Sequence, residues 1–182
     1  MNLKPIARRV FWRRPKPTPA AGAVTMYDSV NVSEIPRKAE AVAGYVDGAW
    51  ATWPDVVREF PRAHKVSIAV TAKAAADCLD IERGDAAIAD AAAWVKRQRR
   101  AGAKRPIVYT SASNAAALLE ALEKAGLKRT QFRLWTAHYT NKQHCCSAAC
   151  GYDVGADATQ WSPHALGRNL DVSLCAPGFF AI

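Results

Sequence analysis

The sequence lacks the long apolar runs that membrane-spanning and secretory segments require. No stretch approaches the roughly 18 consecutive apolar residues of a spanning helix, so none is predicted. Arginines interrupt every apolar run in the first 25 residues, which argues against a secretory signal peptide. Internal repeats and low-complexity core segments are also absent, and half of the 182 residues are hydrophobic. These features predict one folded domain with a sizeable core.

Acidic residues are missing from the first 25 positions, although the whole chain carries 16 of them. Most of the net charge of +9 comes from the cations in this segment: Lys4, Arg8, Arg9, Arg13, Arg14 and Lys16. Prolines followed by Ala-Ala-Gly predict a stiff and then flexible linker. We expect residues 1–25 to be a basic, Pro/Ala-rich flexible arm and residues 26–182 to be the folded domain. Such an arm suits an acidic polymer or surface, including nucleic acid or an anionic wall polymer.

Cysteine is scarce, and four of the five cysteines lie in the last 40 residues. This clustering favours a local disulfide or a metal site over a disulfide framework that spans the fold. The disulfide candidates are Cys145, Cys146 and Cys150, and with His144 the same cysteines form a weak candidate metal site. Adjacent cysteines and the overall spacing match no strong zinc pattern, so no metal is assigned. A disulfide, free thiols and a metal stay open as alternatives.

Eight strand patterns alternate with helical patterns as far as Tyr139 and then continue without a long helix. Helices are predicted from Trp53 to Phe60, from Asp85 to about Arg100, and after Ser113. The predicted strands are Met26–Val30, Ala41–Val46, Lys65–Val70, the stretch from Ala76 that stops at Gly84, Pro106–Thr110, Phe132–Tyr139, Ala156–Trp161 and Asn169–Leu174. The order predicts an α/β fold: a TIM-like β/α barrel with about five β/α units followed by three helix-poor strands. A doubly wound open sheet is the main alternative.

The fourth strand pattern carries two acids on one face. In a strand, Asp80 and Glu82 point to the same side, and Leu79 and Ile81 point to the other. Burial of an unpaired ionised carboxylate costs several kcal/mol, so these acids must line a wet cleft, bind a cation or share a proton. Asp85 is predicted to cap the next helix. Acids at the carboxyl end of a strand are typical of the catalytic mouth of a β/α barrel.

Six segments, taken in order, resemble glycoside hydrolase family 25, the lysozyme-type muramidases common in phage endolysins and bacteria. They are Tyr27–Asn31, Leu79–Glu82, Pro106–Ser111, Leu134–Tyr139, Ala158–Ser162 and Asn169–Leu174. The resemblance implies a barrel of five β/α units and three further strands. The segments Ala41–Trp50 and Lys65–Ala76 depart from the family pattern. These departures suggest a divergent branch, such as the family-25-like barrels of actinobacteria and their phages.

The resemblance implies roles for four acids. Glu82 would be the general acid that protonates the glycosidic oxygen. Asp80 would be its ionised partner, stabilising an oxocarbenium-like centre or holding the substrate's N-acetyl group. Asp28 and Asp171 would position water or substrate, and crowding among the four would keep one carboxyl protonated near neutral pH. The structural alternatives are turn caps, a salt bridge of the pair with Arg83, and a divalent-cation site.

Aromatic side chains at the predicted strand ends are candidates for sugar binding, because pyranose C–H faces pack well on rings. The substrate-binding candidates are Tyr109, Trp135, Tyr139 and Trp161, together with Gln160, which is included on the resemblance alone. Each aromatic residue is also a candidate for the barrel core. His138 is a candidate donor to the site or a core histidine.

The resemblance implies a peptidoglycan-degrading glycosidase that cleaves the β-1,4 bond between N-acetylmuramic acid and N-acetylglucosamine without a cofactor. Its partners would be peptidoglycan glycan strands, with anionic wall polymers bound by the basic arm. A phage lysin released to the cell wall, or a virion-associated protein, fits a chain with no signal peptide. One alternative is an inactive glycan-binding or structural barrel. Another is a nucleic-acid-binding protein that uses the arm, although the core has no nucleic-acid motif.

Overall fold

Eight strands close into one barrel in the computed structural model, which describes residues 21–146 and 151–181. Each strand pairs with the next along the chain, and the eighth pairs with the first. The strands are β1 Val24–Asp28, β2 Ala41–Tyr45, β3 His64–Ala69, β4 Cys78–Asp80, β5 Ile107–Ser111, β6 Arg133–Ala137, β7 Ala158–Ser162 and β8 Asp171–Cys175. The predicted TIM-like barrel is confirmed, and the open doubly wound sheet is excluded.

Three α-helices cover the described part of the barrel: α1 Trp53–Glu59, α2 Ile88–Arg100 and α3 Ala112–Lys124. They follow β2, β4 and β5. The β1–β2 connection has only the 3₁₀ turn Val32–Glu34, which Asn31 caps as its side chain accepts a hydrogen bond from the Ser33 N–H. The β3–β4 connection, residues 70–77, has no helix. The helix-poor character predicted for the last strands therefore extends to these two connections.

Strand direction decides which residues meet at each end of the barrel. β1 to β7 run parallel to their neighbours, whereas β8 is antiparallel to both β7 and β1. The carboxyl ends of β1–β7 therefore share one mouth with the amino end of β8. Asp28, the last residue of β1, pairs there with Asp171, the first residue of β8.

Alternation along the strands divides the core into an inner and an outer layer. Met26, Ile68 and Trp135 belong to the buried cluster inside the barrel. The outward residues pack against the helices, and Trp94 of α2 is fully buried in that layer. The Trp94 Nε1–H donates a hydrogen bond of 3.0 Å to the Ala74 carbonyl, so α2 is anchored to the β3–β4 connection.

Two predicted boundaries were wrong. Val24 and Thr25, assigned to the arm, form the start of β1 and pair with β8, so the barrel begins earlier than predicted. Asp85 does not cap α2, because the helix begins at Ile88 and Asp90 accepts the hydrogen bond from the Ala87 N–H at 3.0 Å. Residues 1–20 of the predicted arm lie outside the described residues. No helix in the described ranges is long and apolar enough to cross a membrane.

Candidate active site

The four acids selected from the sequence lie at the mouth formed by the carboxyl ends of the parallel strands. Asp28 and Asp80 are the last residues of β1 and β4, and they lie on the same inward face as Met26 and Cys78 of the inner core. Asp171 begins β8 opposite Asp28. Glu82 lies two residues beyond the end of β4, because that strand is only three residues long and does not continue to Gly84 as predicted. Closure of the barrel thus brings together acids that are separated by up to 143 positions in the sequence.

Asp28 and Asp171 form a carboxyl pair that shares one proton at neutral pH. Asp28 is 2% exposed, and burial, followed by the charges of Asp171 and Asp80, raises its pKa well above the ordinary value. Burial raises the pKa of Asp171 to about 6, against the lowering effect of hydrogen bonds with Gln160 and Asp28. These shifts favour the proton on Asp28, which then donates to Asp171, and ionisation of Asp171 above about pH 6.

Asp80 carries a proton at neutral pH. It is 6% exposed, and burial, followed by the charges of Glu82 and Asp85, raises its pKa to about 8. The sequence-based assignment made Asp80 the ionised partner, and this local environment opposes that assignment. The pKa of half-buried Glu82 is also raised, first by burial and then by Asp85 and Asp171.

Two carboxyl oxygens at the mouth have unmet hydrogen-bonding capacity. Asp28 Oδ2 and Asp80 Oδ1 are buried, and neither has a hydrogen-bond partner among the described residues. An unmet buried polar atom costs about 1–3 kcal/mol, so native proteins leave few of them. Such oxygens are available to a polar group of a substrate or to water.

The neighbouring strand holds the Asp80–Glu82 segment in place. The Ile81 N–H donates to the Tyr109 carbonyl at 2.9 Å, and Thr110 Oγ1 donates to the Ile81 carbonyl at 2.8 Å. Ile81 itself is buried in the outer core. These contacts continue the attachment to β5 past the end of β4, so Glu82 is carried on a fixed backbone.

Gln160 links the aromatic residues of the mouth to the acids. Its Oε1 accepts a hydrogen bond of 2.8 Å from the Tyr109 hydroxyl, and its Nε2 donates to the Tyr139 hydroxyl at 3.4 Å. Gln160 also hydrogen-bonds to Asp171. Tyr109 is buried, whereas Tyr139 is 50% exposed and is the accessible ring of the group.

Trp135 and Trp161, which were predicted to stack on a sugar, pack within the protein instead. Trp135 is 1% exposed inside the barrel, where its Nε1–H donates to Ser173 Oγ at 3.0 Å and its ring meets Tyr109 edge-on. Trp161 faces the other way from Gln160 and packs against the outer cluster that contains Leu170. Burial leaves no open face on Trp135, and Trp161 is turned away from the barrel interior.

Tyr45 is a residue of the mouth that sequence reasoning missed. It ends β2, packs against the inner core, and has a pKa raised by burial and by the charges of Asp28, Asp80 and Asp171. The available signal was its position at the end of a predicted strand, directly before the turn at Asp47. It was overlooked because this strand departs from the family pattern.

The cysteines and histidines form a separate group beside the mouth. His138, His144 and Cys146 place three ligand atoms within 4.8 Å of one another, and no other such group occurs in the described ranges. The Cys145 thiol instead contacts the Ala156 carbonyl at 3.3 Å. Cys150 lies outside the described residues, so the predicted disulfide is not located.

Two solved structures share this fold. An uncharacterized B. stearothermophilus protein superimposes with a TM-score of 0.64 at 18% identity, covering 86% of this chain and 97% of that one. A glycosyl hydrolase 25 of Streptococcus pneumoniae, described as a virulence factor participating in host cell invasion, superimposes with a TM-score of 0.57 at 14% identity, covering 85% and 87%. No protein-family model and no curated protein matches the sequence. At these identities the similarity is one of fold.

Proposed function

We propose that this protein is a glycoside hydrolase of the muramidase type, which cleaves the β-1,4 bond between N-acetylmuramic acid and N-acetylglucosamine in peptidoglycan. The observation that carries the proposal is the meeting of Asp28, Asp80, Glu82 and Asp171 at one barrel mouth, with the pKa of every one raised. Carboxyl groups kept partly protonated near neutral pH are what acid-catalysed glycoside cleavage requires. The fold shared with a glycosyl hydrolase 25 supports the same proposal.

Glu82 is the general acid in this mechanism. It is half-buried at the rim of the mouth, where a polymer can reach it, and its raised pKa lengthens the pH range in which it keeps a proton. In its protonated form it donates that proton to the glycosidic oxygen as the bond breaks. The contacts of Ile81 with β5 hold the Glu82 backbone during this step.

Asp80 and Asp171 have different roles in this mechanism because their protonation states differ. Neutral Asp80 can both donate and accept a hydrogen bond, which suits a role in holding the substrate's N-acetyl group. Asp171 is the ionised carboxylate at neutral pH, so it stabilises the positive charge that develops on the sugar or activates water. Protonated Asp28 orients Asp171 and maintains the proton balance. Tyr139 offers its exposed ring to a pyranose face.

A barrel that binds glycan without turnover is the second candidate. One observation favours it: Trp135 is buried and offers no accessible face to a sugar. Either protein would act at the cell wall, after release as a lysin or as part of a virion.

The deciding experiment compares wild type with Glu82→Gln on purified peptidoglycan. The change keeps the shape of the side chain and removes its proton, so we expect release of reducing ends to fall at least about 100-fold. Glu123→Gln is the matched control, because this exposed glutamate lies on α3 away from the mouth. Release that persists in Glu82→Gln would show that the acid is another residue. Wild type that sediments with the wall but releases no reducing ends would favour the binding candidate.

A further inference from the structure

Three ligand-type side chains converge in the connection between β6 and β7, and the proposed glycosidase chemistry uses none of the three. His138 Nδ1 lies 3.0 Å from His144 Nε2, and Cys146 Sγ lies 3.7 Å from the first nitrogen and 3.8 Å from the second. The three atoms form a compact triangle. Imidazole nitrogen and thiolate sulfur are both zinc ligands, whereas magnesium and calcium prefer oxygen.

The size of this triangle matches one face of a tetrahedral zinc site. Zinc–nitrogen bonds of about 2.0 Å and a zinc–sulfur bond of about 2.3 Å place two nitrogens about 3.3 Å apart and each nitrogen about 3.6 Å from the sulfur. The three separations observed differ from these values by a few tenths of an ångström. Small side-chain rotations would therefore admit the ion.

The orientation of His144 provides independent support. Its Nδ1 lies 2.7 Å from the Lys142 carbonyl oxygen, which can only accept a hydrogen bond. Nδ1 must therefore carry the proton in this contact, and Nε2 directs its lone pair toward His138 and Cys146. A backbone carbonyl that fixes the tautomer and ring orientation is the usual support of a metal-binding histidine.

The barrel also fixes the backbone at both ends of the triangle. The His138 N–H donates to the Gln160 carbonyl at 2.8 Å, and the Cys146 N–H donates to Thr159 Oγ1 at 2.8 Å. Both acceptors belong to β7. The ligand-bearing segment is therefore held through its main-chain N–H groups before any ion binds, which lowers the entropic cost of forming the site.

We propose that His138 Nδ1, His144 Nε2 and Cys146 Sγ bind a zinc ion that fastens the β6–β7 connection to the mouth of the barrel. Before binding, His138 Nδ1 carries the proton that joins the two histidines. To bind zinc, His138 changes tautomer, so that the proton leaves Nδ1 for solvent and Nε2 takes one up, and the Cys146 thiol releases its proton to solvent. Because Tyr139 is adjacent to His138, the ion also restricts the accessible ring of the candidate active site. The inference holds whether or not the barrel cleaves peptidoglycan.

The test measures metal content of the full chain, purified with a reductant, stripped with a chelator and reloaded with zinc. We expect about one zinc per chain after removal of excess metal, with no competition from magnesium. Cobalt substitution should give the charge-transfer absorption of a thiolate ligand. Cys146→Ser should lose both the bound zinc and the charge-transfer absorption. Cys145→Ser should keep them, because it replaces the neighbouring thiol, which contacts the Ala156 carbonyl.

Several results would overturn the assignment. Wild type that retains under about a tenth of a zinc per chain would mean that the histidines form only a hydrogen bond. Zinc bound equally by wild type and Cys146→Ser, or lost equally in Cys145→Ser, would exclude the proposed thiolate. Peptide mapping without reductant that finds Cys146 in a disulfide while zinc stays bound would do the same. If a variant fails to fold, a wild-type cobalt spectrum without a charge-transfer band still excludes a thiolate ligand.

Discussion

Asp80 combines burial with an unmet hydrogen bond, and each of these properties lowers stability. It is 6% exposed, and its Oδ1 has no hydrogen-bond partner in the described part of the chain. An aspartate with a purely structural role would gain from a partner for each oxygen. The arrangement at Asp80 is better explained by a substrate group that supplies the missing contact, at some cost to the stability of the free protein.

Because the buried Asp80 carboxyl lowers stability when it ionises, the effect of Asp80→Asn on the free energy of unfolding should depend on pH. The pKa of Asp80 is raised from 3.8 to about 8, so its contribution to stability is present below about pH 4 and is lost as the pH rises through about 8. The amide cannot ionise. We expect the variant to have a free energy of unfolding close to that of wild type at about pH 4, and to exceed it by roughly 2–4 kcal/mol at about pH 9.

Urea unfolding at both pH values measures the difference. Asp153→Asn, at an exposed position, is the control and should follow wild type at both. If the free energies of unfolding of Asp80→Asn and wild type differ by the same amount at low and high pH, the pKa of Asp80 is not raised by folding. That result would also remove the basis for a neutral Asp80 in the proposed mechanism.

At the scale of elements, the close packing of α1 against β2 depends on the absence of a side chain at Gly44. A Cβ at Gly44 would lie 2.8 Å from Val56 Cγ2 and 3.3 Å from Thr52 Oγ1. The next residue, Tyr45, lies at the mouth, and its N–H donates to Thr52 Oγ1 at 3.1 Å. The helix therefore packs directly against the strand end that carries Tyr45.

We expect Gly44→Ala to destabilise the protein by about 1–3 kcal/mol, because the added methyl overpacks the α1–β2 interface. Val56→Ala alone should also destabilise it, by leaving a cavity. In the double variant the methyl group added by Gly44→Ala gains room, so the combined destabilisation should be smaller than the sum of the two single effects. Additive effects in chemical unfolding would show that α1 shifts to accept the methyl group.

At the scale of the whole molecule, charge is divided unequally between arm and barrel. Six cations lie in residues 1–25 of a chain with a net charge of +9. Because β1 begins at Val24, the arm is separable from the barrel only before that residue. A deletion of residues 1–25 would remove two paired positions of β1, whereas a deletion of residues 1–20 leaves every described strand intact.

We therefore predict the effect of deleting residues 1–20 on retention by cell walls rich in anionic polymers. Retention should fall at low salt and match wild type at about 1 M salt, where charges are screened beyond about 3 Å. An arm of the same length with glutamine at its six cationic positions should behave like the deletion. Unchanged retention at both salt concentrations would remove the arm from wall binding, and salt-sensitive binding to DNA alone would support the nucleic-acid alternative.

Local patterns in the sequence predicted the eight strands and the paired acids on the fourth, whereas the roles of the acids rested on the family resemblance. Strand alternation and turn residues act over a few positions, so eight strands could be located with errors of one or two residues at most ends. The Asp80–Glu82 pair was recognisable because two acids on one strand face need water, a cation or a shared proton. Gln160 could be selected only by resemblance, since nothing in its local sequence indicates contact with Tyr109.

Properties that depend on distant parts of the chain were decided only by the tertiary structure. The proton on Asp80 results from burial, and the Asp28–Asp171 pair depends on β8 running against β1. The inner position of Trp135 follows from closure of the barrel. The sequence by itself determined the α/β strand order and the candidate acids, because those follow from local periodicity. Burial and barrel closure decided protonation and accessibility, because both depend on residues that are remote in sequence.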